Sequence, residues 1–384
     1  MVVINRIAGF AEDLTEWRRH LHAHPELALD CHDTAAFVVD KLRAFGVDEI
    51  HEGWAKTGVV GVIHGQGDGP VTGLRADMDA LPMTEATGLP HASTVPGRMH
   101  ACGHDGHTTM LLGAARYLAE TRNFTGRVVL IFQPAEEIIG GGRIMVEEGM
   151  IEVFGIEEVY ALHTDTEADE GVFRTNPGSI MASVDEFHIT VTGQGGHAAY
   201  PHMNADPIPC ALAIGQALQT VVARNADPLE ALVVSITQIH TGSAMNVIPD
   251  VAEIKGTVRS LTPATRDMAE ARVRAIATAQ GAVYGVTTSV DYDRSYPATI
   301  NHPDQAAFAG RIAGQVGTGL IADMAPEMGA EDFSYMLEKR PGAFLFIGQG
   351  AGPSVHNTAF DFNDAIAPVG ASFFAKLIET RHAP

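Results

Sequence analysis

Arg127-Val128-Val129-Leu130-Ile131-Phe132 runs without a break into Gln133-Pro134-Ala135-Glu136-Glu137. A continuous run of Val, Leu, Ile and Phe reads as a strand covered on both faces, the kind found in parallel sheets. An adjacent pair of glutamates is ordinarily a solvated face. Placed directly after such a strand, the pair instead falls beyond the carboxyl end of a sheet, where α/β proteins gather ligands and catalytic groups.

The same placement recurs along the chain. Pro70 to Arg75 (PVTGLR) reads as a strand and leads into Asp77-Met78-Asp79, Glu157 to Leu162 leads into His163, and Ala343 to Ile347 is followed in a loop by His356. Between them, Met99-His100-Ala101-Cys102-Gly103-His104-Asp105-Gly106-His107 gathers a thiol, imidazoles and a carboxyl. Cys102 and His104 are two apart, so an extended backbone would point both side chains to one side. Thiolate with imidazole is a ligand set that suits zinc and its transition-metal neighbours. Taken alone, the stretch reads equally as a His-rich solvated loop. The shared edge favours a metal site. Carboxylates and imidazoles can hold two cations, and a water bridging them becomes a nucleophile at neutral pH. One of Glu136 and Glu137 would then bind metal, and the other would act as general base and afterwards donate the proton to the leaving amine.

Around these motifs the chain alternates strands with helices, over Ile4 to His22, Asp33 to Phe45, Thr108 to Thr121, His302 to Val316 and Asp364 to His382, which indicates an α/β sheet covered on both faces. The pattern changes at Asp185 to Thr192 (DEFHITVT), where Phe187, Ile189 and Val191 alternate with polar residues as in a half-solvated antiparallel strand. A helix from Asp206 to Arg224, strands over Ala231 to His240 and Val251 to Ser260, a helix from Thr262-Pro263 to Gln280 and a strand from Val286 to Tyr292 complete a β-α-β-β-α-β order, the ferredoxin-like arrangement. Residues 181–294 are therefore expected to form an inserted domain within a discontinuous metal-binding domain made of 1–180 and 295–384.

Composition limits the function further. The chain has 384 residues, 46% of them hydrophobic, and a formal net charge of −22, which argues against nucleic acid or an anionic membrane as partner. Its three cysteines suggest no disulfide framework, in keeping with a cytoplasmic protein. Met1 to Arg6 has no secretory pattern, and Pro207 to Ala223, the most apolar run, is too polar and too short to span a bilayer. No serine has Gly at both −2 and +2, as a nucleophile elbow requires, and there is no GxxxxGKS.

Read together and in order, RADMDALP (75–82), MHACGHDGH (99–107), QPAEE (133–137), the ALH ending on His163, GQGGHAAYPH (193–202), NVIPD (246–250), GTVRS (256–260), MGAEDF (328–333) and VHNTAFDFND (355–364) resemble the bimetallic aminoacylase and carboxypeptidase family. The nearest subgroup is that of hippurate hydrolases, N-acyl-amino-acid amidohydrolases and auxin-conjugate hydrolases. The resemblance implies a zinc-exopeptidase-like three-layer α/β catalytic domain with an inserted ferredoxin-like α+β lid and dimerisation domain, and a homodimer. It implies two divalent metal ions per subunit (Zn, Mn, Co or Ni), with Cys102, His104, Glu137, His163 and His356 as ligands. It makes Glu136 the general base and Asp79 the aspartate that supports the site. Asp77 stands where relatives outside the subgroup carry a metal-binding His, and receives no ligand role. His197 resembles the residue that reaches across the dimer to the developing oxyanion, and Asn246 and Arg259 resemble groups that bind the polar end of the substrate. The implied reaction is cleavage of the amide bond of N-acyl amino acids or related small conjugates by a metal-bridged water. Two departures flank the site. Thr164 to Glu170 replaces the subgroup's usual Asn-Trp-Pro, and Ile138-Ile139 precedes Gly140-Gly141-Gly142. Asp165 and Glu167 would suit a cationic leaving group, or form a solvated loop. Two other readings compete: a metal-independent thiol amidase using Cys102, and a non-catalytic binding protein on the same fold.

Overall fold

The apolar run forms the strand Arg127–Gln133 inside an eight-stranded sheet. A computed structural model describes residues 1–383 of the chain. It divides into two compact units, one made of Met1–Ile180, Ile300–Ala325 and the chain from Asp332 on, the other of Met181–Thr299 and Pro326–Glu331.

In the first unit the sheet order is Glu49–Trp54, Gly58–His64, Arg127–Gln133, Val71–Asp77, Glu158–Asp165, Gly342–Gly348, Val172–Arg174 and Gly319–Ile321. The four strands from Arg127–Gln133 to Gly342–Gly348 run parallel. Val128, Leu130 and Phe132 join the core that contains the helices Ala11–Ala23, His32–Phe45, His104–Thr121, Pro303–Val316 and Ala367–Arg381. The alternating Val129 and Ile131 are equally buried, as a strand covered on both faces requires. Register then places the chemistry: Asp77 pairs with Gln133 and His163 with Phe346, so Asp79, Glu136, Glu137 and His163 all belong to one edge.

Two local readings change. The strand carrying His163 runs on to Asp165, so His163 lies within it rather than beyond its end. The helix after the Cys/His motif starts at His104 rather than Thr108, because Gly103 adopts a left-handed conformation (φ 87°) and turns the chain directly into it. Cys102 and His104 are therefore brought together by a tight turn, not by an extended backbone. The short strands Glu49–Trp54, Val172–Arg174 and Gly319–Ile321 carry mixed or exposed side chains, which is why periodicity does not mark them.

In the second unit a four-stranded antiparallel sheet has the order Leu232–Thr241, Val251–Ser260, Ser183–Thr192, Thr287–Arg294. The helices Pro207–Thr220 and Pro263–Tyr284 connect it in β-α-β-β-α-β order. Each helix opens on a capped Pro: Asp206 accepts from the Ile208 amide and Thr262 from that of Thr265. Phe187, Ile189 and Val191 share one core with Ile214, Leu218 and Val273 of the helices, as their alternation requires. Among the described residues no helix is long and apolar enough to cross a membrane.

Candidate metal centre

Within the first unit the five candidate ligands converge. Donor atoms of Cys102, His104 and His163 lie within 4.8 Å of one another, as do those of Cys102, Glu137 and His356, and those of His104, Glu136 and Glu137. Cys102, His104 and Glu137 each belong to two of these three groups, so the groups form one continuous cluster. Its Sγ is 3.4 Å from His163 Nε2. Glu137 stands between imidazoles, with Oε1 3.8 Å from His104 Nε2 and Oε2 3.4 Å from His356 Nε2.

Each side chain is held by its backbone surroundings. The Asp79 carboxylate accepts from the amides of Glu136 (2.9 Å) and Glu137 (3.1 Å), which fixes the bend after the strand. The Asp79 carbonyl accepts from His104 Nδ1 (2.8 Å), and the Thr164 carbonyl from His163 Nδ1 (2.7 Å). A carbonyl can only accept, so both rings carry their proton on Nδ1 and turn an Nε2 lone pair inward, the usual way a ligand histidine is oriented. The His356 amide donates to the Ala101 carbonyl (2.7 Å). Ala135, Ile139 and His356 all have positive φ (59°, 85° and 62°) and all flank the cluster, where backbone strain tends to be kept.

The site is anionic and buried on the side of Cys102 and His104, while His356 stands at its exposed rim. Burial opposes charge on His104, yet Asp77, Asp79 and Glu137 push its pKa up to about 10, which shows how strongly their field draws positive charge to this position. Burial, then Glu137, Glu136 and Asp77, push the Cys102 thiol well above its ordinary range. His104 Nε2 and Glu137 Oε1 are buried without a hydrogen-bond partner. Two such atoms facing each other amid carboxylates, imidazoles and a thiol fit divalent cations of the borderline class.

Residues 73–380 match Peptidase family M20/M25/M40. The chain belongs to this family. It is 38% identical to a hippurate hydrolase of Campylobacter jejuni over 98% of each chain. It is 40% identical to an N-acetyl-L-cysteine deacetylase of Bacillus subtilis over 93% of this chain and 85% of the relative. A crystal structure of a Bacillus subtilis dinuclear metal binding peptidase from the M20 family superposes with a TM-score of 0.87, at 35% identity over 98% of this chain and 99% of that one.

For this M20-family chain the other candidate residues fall as follows. Asp79 is buried at the centre of the cluster's support. His197 and Asn246 lie in the second unit and meet there: His197 pairs with Val247 in a short ladder, and the Ala198 amide donates to the Asn246 carbonyl (3.1 Å). Arg259 lies half-buried on the strand Val251–Ser260. Asp165 is only 6% exposed and is taken up by Arg174 (2.6 Å) and the Glu167 amide (2.7 Å), so the acidic segment is neither a free charge nor a solvated loop at that residue. Sequence reasoning assigned no part to His107, Arg75, Gln133 or Asp332. Arg75 donates to Asp77 (2.7 Å), Gln133 (2.9 Å) and Asp332 (2.9 Å), and Asp332 accepts from the Gly142 amide (2.7 Å). The available signal was an arginine at the end of an apolar strand, since an arginine that becomes buried requires partners.

Proposed function

We propose that the chain is a metal-dependent amidohydrolase that cleaves N-acyl amino acids or related small conjugates into carboxylic acid and amino acid. The observation that carries this is the convergence of Cys102, His104, Glu137, His163 and His356 around buried atoms that lack partners. Those five residues would hold two divalent ions. When bound, the ions polarise the scissile carbonyl and lower the pKa of water.

The chain's own residues do the rest. Glu137 is engaged between His104 and His356, which leaves Glu136 to take the proton of the attacking water and pass it to the leaving nitrogen. Asp79 keeps both glutamates at their stations through their amides. His197 Nδ1 accepts from the Ala199 amide (3.1 Å), so its proton sits on Nε2, the form an oxyanion donor requires. In this reading the second unit is a lid and dimerisation domain, residues 181–294 in the main, and His197 serves the partner's site. Asn246 and Arg259 bind the substrate's polar end, with Arg259 suited to its carboxylate. The cysteines Cys31, Cys102 and Cys210 are free, which supports a cytoplasmic protein.

The Cys102–His163 contact of 3.4 Å is what a thiol amidase would need. Its electrostatics oppose that use, because reactive thiolates sit in electropositive surroundings and Cys102 is surrounded by carboxylates. Hydrolysis of a panel from N-acetyl to N-benzoyl amino acids, with metal analysis of the same sample, tests the proposal. Activity that disappears with a chelator and returns with added metal is expected. Activity that survives full metal removal would overturn it.

A further inference from the structure

Asp77 ends the strand Val71–Asp77 with its carboxylate wholly buried. Its Oδ2 accepts from Arg75 Nη1 (2.7 Å) and lies 3.7 Å from the unpartnered His104 Nε2. Its Oδ1 meets His107 Nδ1 at 2.7 Å. His107 is 1% exposed, and its Nε2 accepts the backbone N–H of Thr164 (2.8 Å). An amide can only donate, so Nε2 must be the bare nitrogen and Nδ1 must donate to Asp77. Thr164 is the residue after His163, and its carbonyl takes the His163 Nδ1 proton (2.7 Å). One peptide unit on each side of Thr164 is thus gripped, the amide by His107 and the carbonyl by His163.

We infer that Asp77 and His107 are a positioning pair that joins the two sides of the metal centre, with Asp77 facing His104 directly and His107 setting His163 through the Thr164 backbone. The chain runs Arg75, Asp77, His107, Thr164, His163, and it ends with His163 Nε2 aimed at Cys102 Sγ. It gives His107 a part although Cys102 and His104 are the motif's only ligand candidates. His104 and His107 are three apart on the helix His104–Thr121 and share a face, so one ring can serve the site while the other reaches the strand behind it. It also gives Asp77 a part that does not require it to touch a cation. The inference rests on the metal-centre reading proposed above.

The test uses the full chain, as wild type and as His107→Phe, His107→Gln and Asp77→Asn, titrated with Co(II). The thiolate-to-cobalt absorption band reports Cys102, ions per chain are counted by mass spectrometry, and circular dichroism reports folding. Nitrogen NMR of the metal-free protein reads the tautomers of His107 and His163. Wild type is expected to show the Nδ1–H form of both rings and two cobalt ions with a thiolate band. A folded His107→Phe chain should bind its weaker ion about 10–100-fold less tightly and show a diminished band, as loss of a partner behind a ligand typically does. His107→Gln, whose amide oxygen can accept the Thr164 N–H, should recover part of the loss. A folded His107→Phe chain with unchanged affinity and spectrum would overturn the inference, as would an Nε2–H form of His107 in wild type. If His107→Phe does not fold, the wild-type tautomers and the affinity of the isosteric Asp77→Asn decide: unchanged affinity there overturns it. A wild type that takes up no cobalt at its thiolate removes the metal-centre reading, and this inference with it.

Discussion

Asp79 shows how little of the site can be moved independently. One carboxylate accepts from both glutamate amides, and the carbonyl of the same residue orients His104. The two glutamates nevertheless separate in role. Glu136→Gln should lower turnover by about 10²–10⁴-fold, the usual contribution of a general base, while both ions stay bound. Loss of ions together with turnover would make Glu136 a ligand instead. Cys102→Ser should lower metal affinity, because a hydroxyl is a poorer donor than a thiolate to soft and borderline cations, and equilibrium dialysis against a competing chelator would measure it. At this scale the strand ends and the Cys/His motif pointed to the candidate residues, the resemblance picked out five of them, and the structure brings those five together. The parts of Asp77 and His107 were not legible. They depend on which ring nitrogen meets which backbone group, and spacing carries no information on that.

Among the elements, the turn at Gly103 matters most, because it brings Cys102 and His104 into one cluster. Its φ is +87°, and a Cβ there would lie 2.6 Å from Thr164 Cγ2. Gly103→Ala therefore meets both a left-handed penalty of about 1–2 kcal/mol and a clash with the residue behind His163. A lower urea midpoint and weaker metal binding are expected together. Unchanged values for both would show that the turn tolerates a side chain. The parallel strands were legible because burial on both faces leaves continuous apolar runs. The helix start was misplaced because His104, Asp105 and His107 are polar residues buried by the site they build, so the apolar period begins only after them.

In the molecule as a whole, the change of period, continuous apolar strands giving way to alternating ones and then returning, coincides with the stretch Met181–Thr299 of the second unit. Long-range ion pairing could not be read from the period. Arg18 and His22 on the helix Ala11–Ala23 meet Asp105, with His22 Nδ1 2.8 Å from its carboxylate. Burial opposes the charge on His22, yet Asp105 and Glu85 raise it from 6.5 to about 9. The folded state therefore binds this proton more tightly than the unfolded chain. The resulting stability is complete below about pH 6.5 and is lost as pH rises toward 9, a difference on the order of 3 kcal/mol. Denaturation curves of wild type and His22→Gln across that window should converge as pH rises. Curves that stay parallel would show that His22 does not hold its proton.

The most direct measurement of the central claim is anomalous diffraction from crystals of the chain grown with Mn(II) or Zn(II), recorded at the absorption edge of the added metal. Two peaks per chain are expected, both within coordination distance of Cys102 or Glu137, with His104, His163 and His356 around them. Peaks elsewhere, or none at these five residues in crystals that hold the metal, would contradict it.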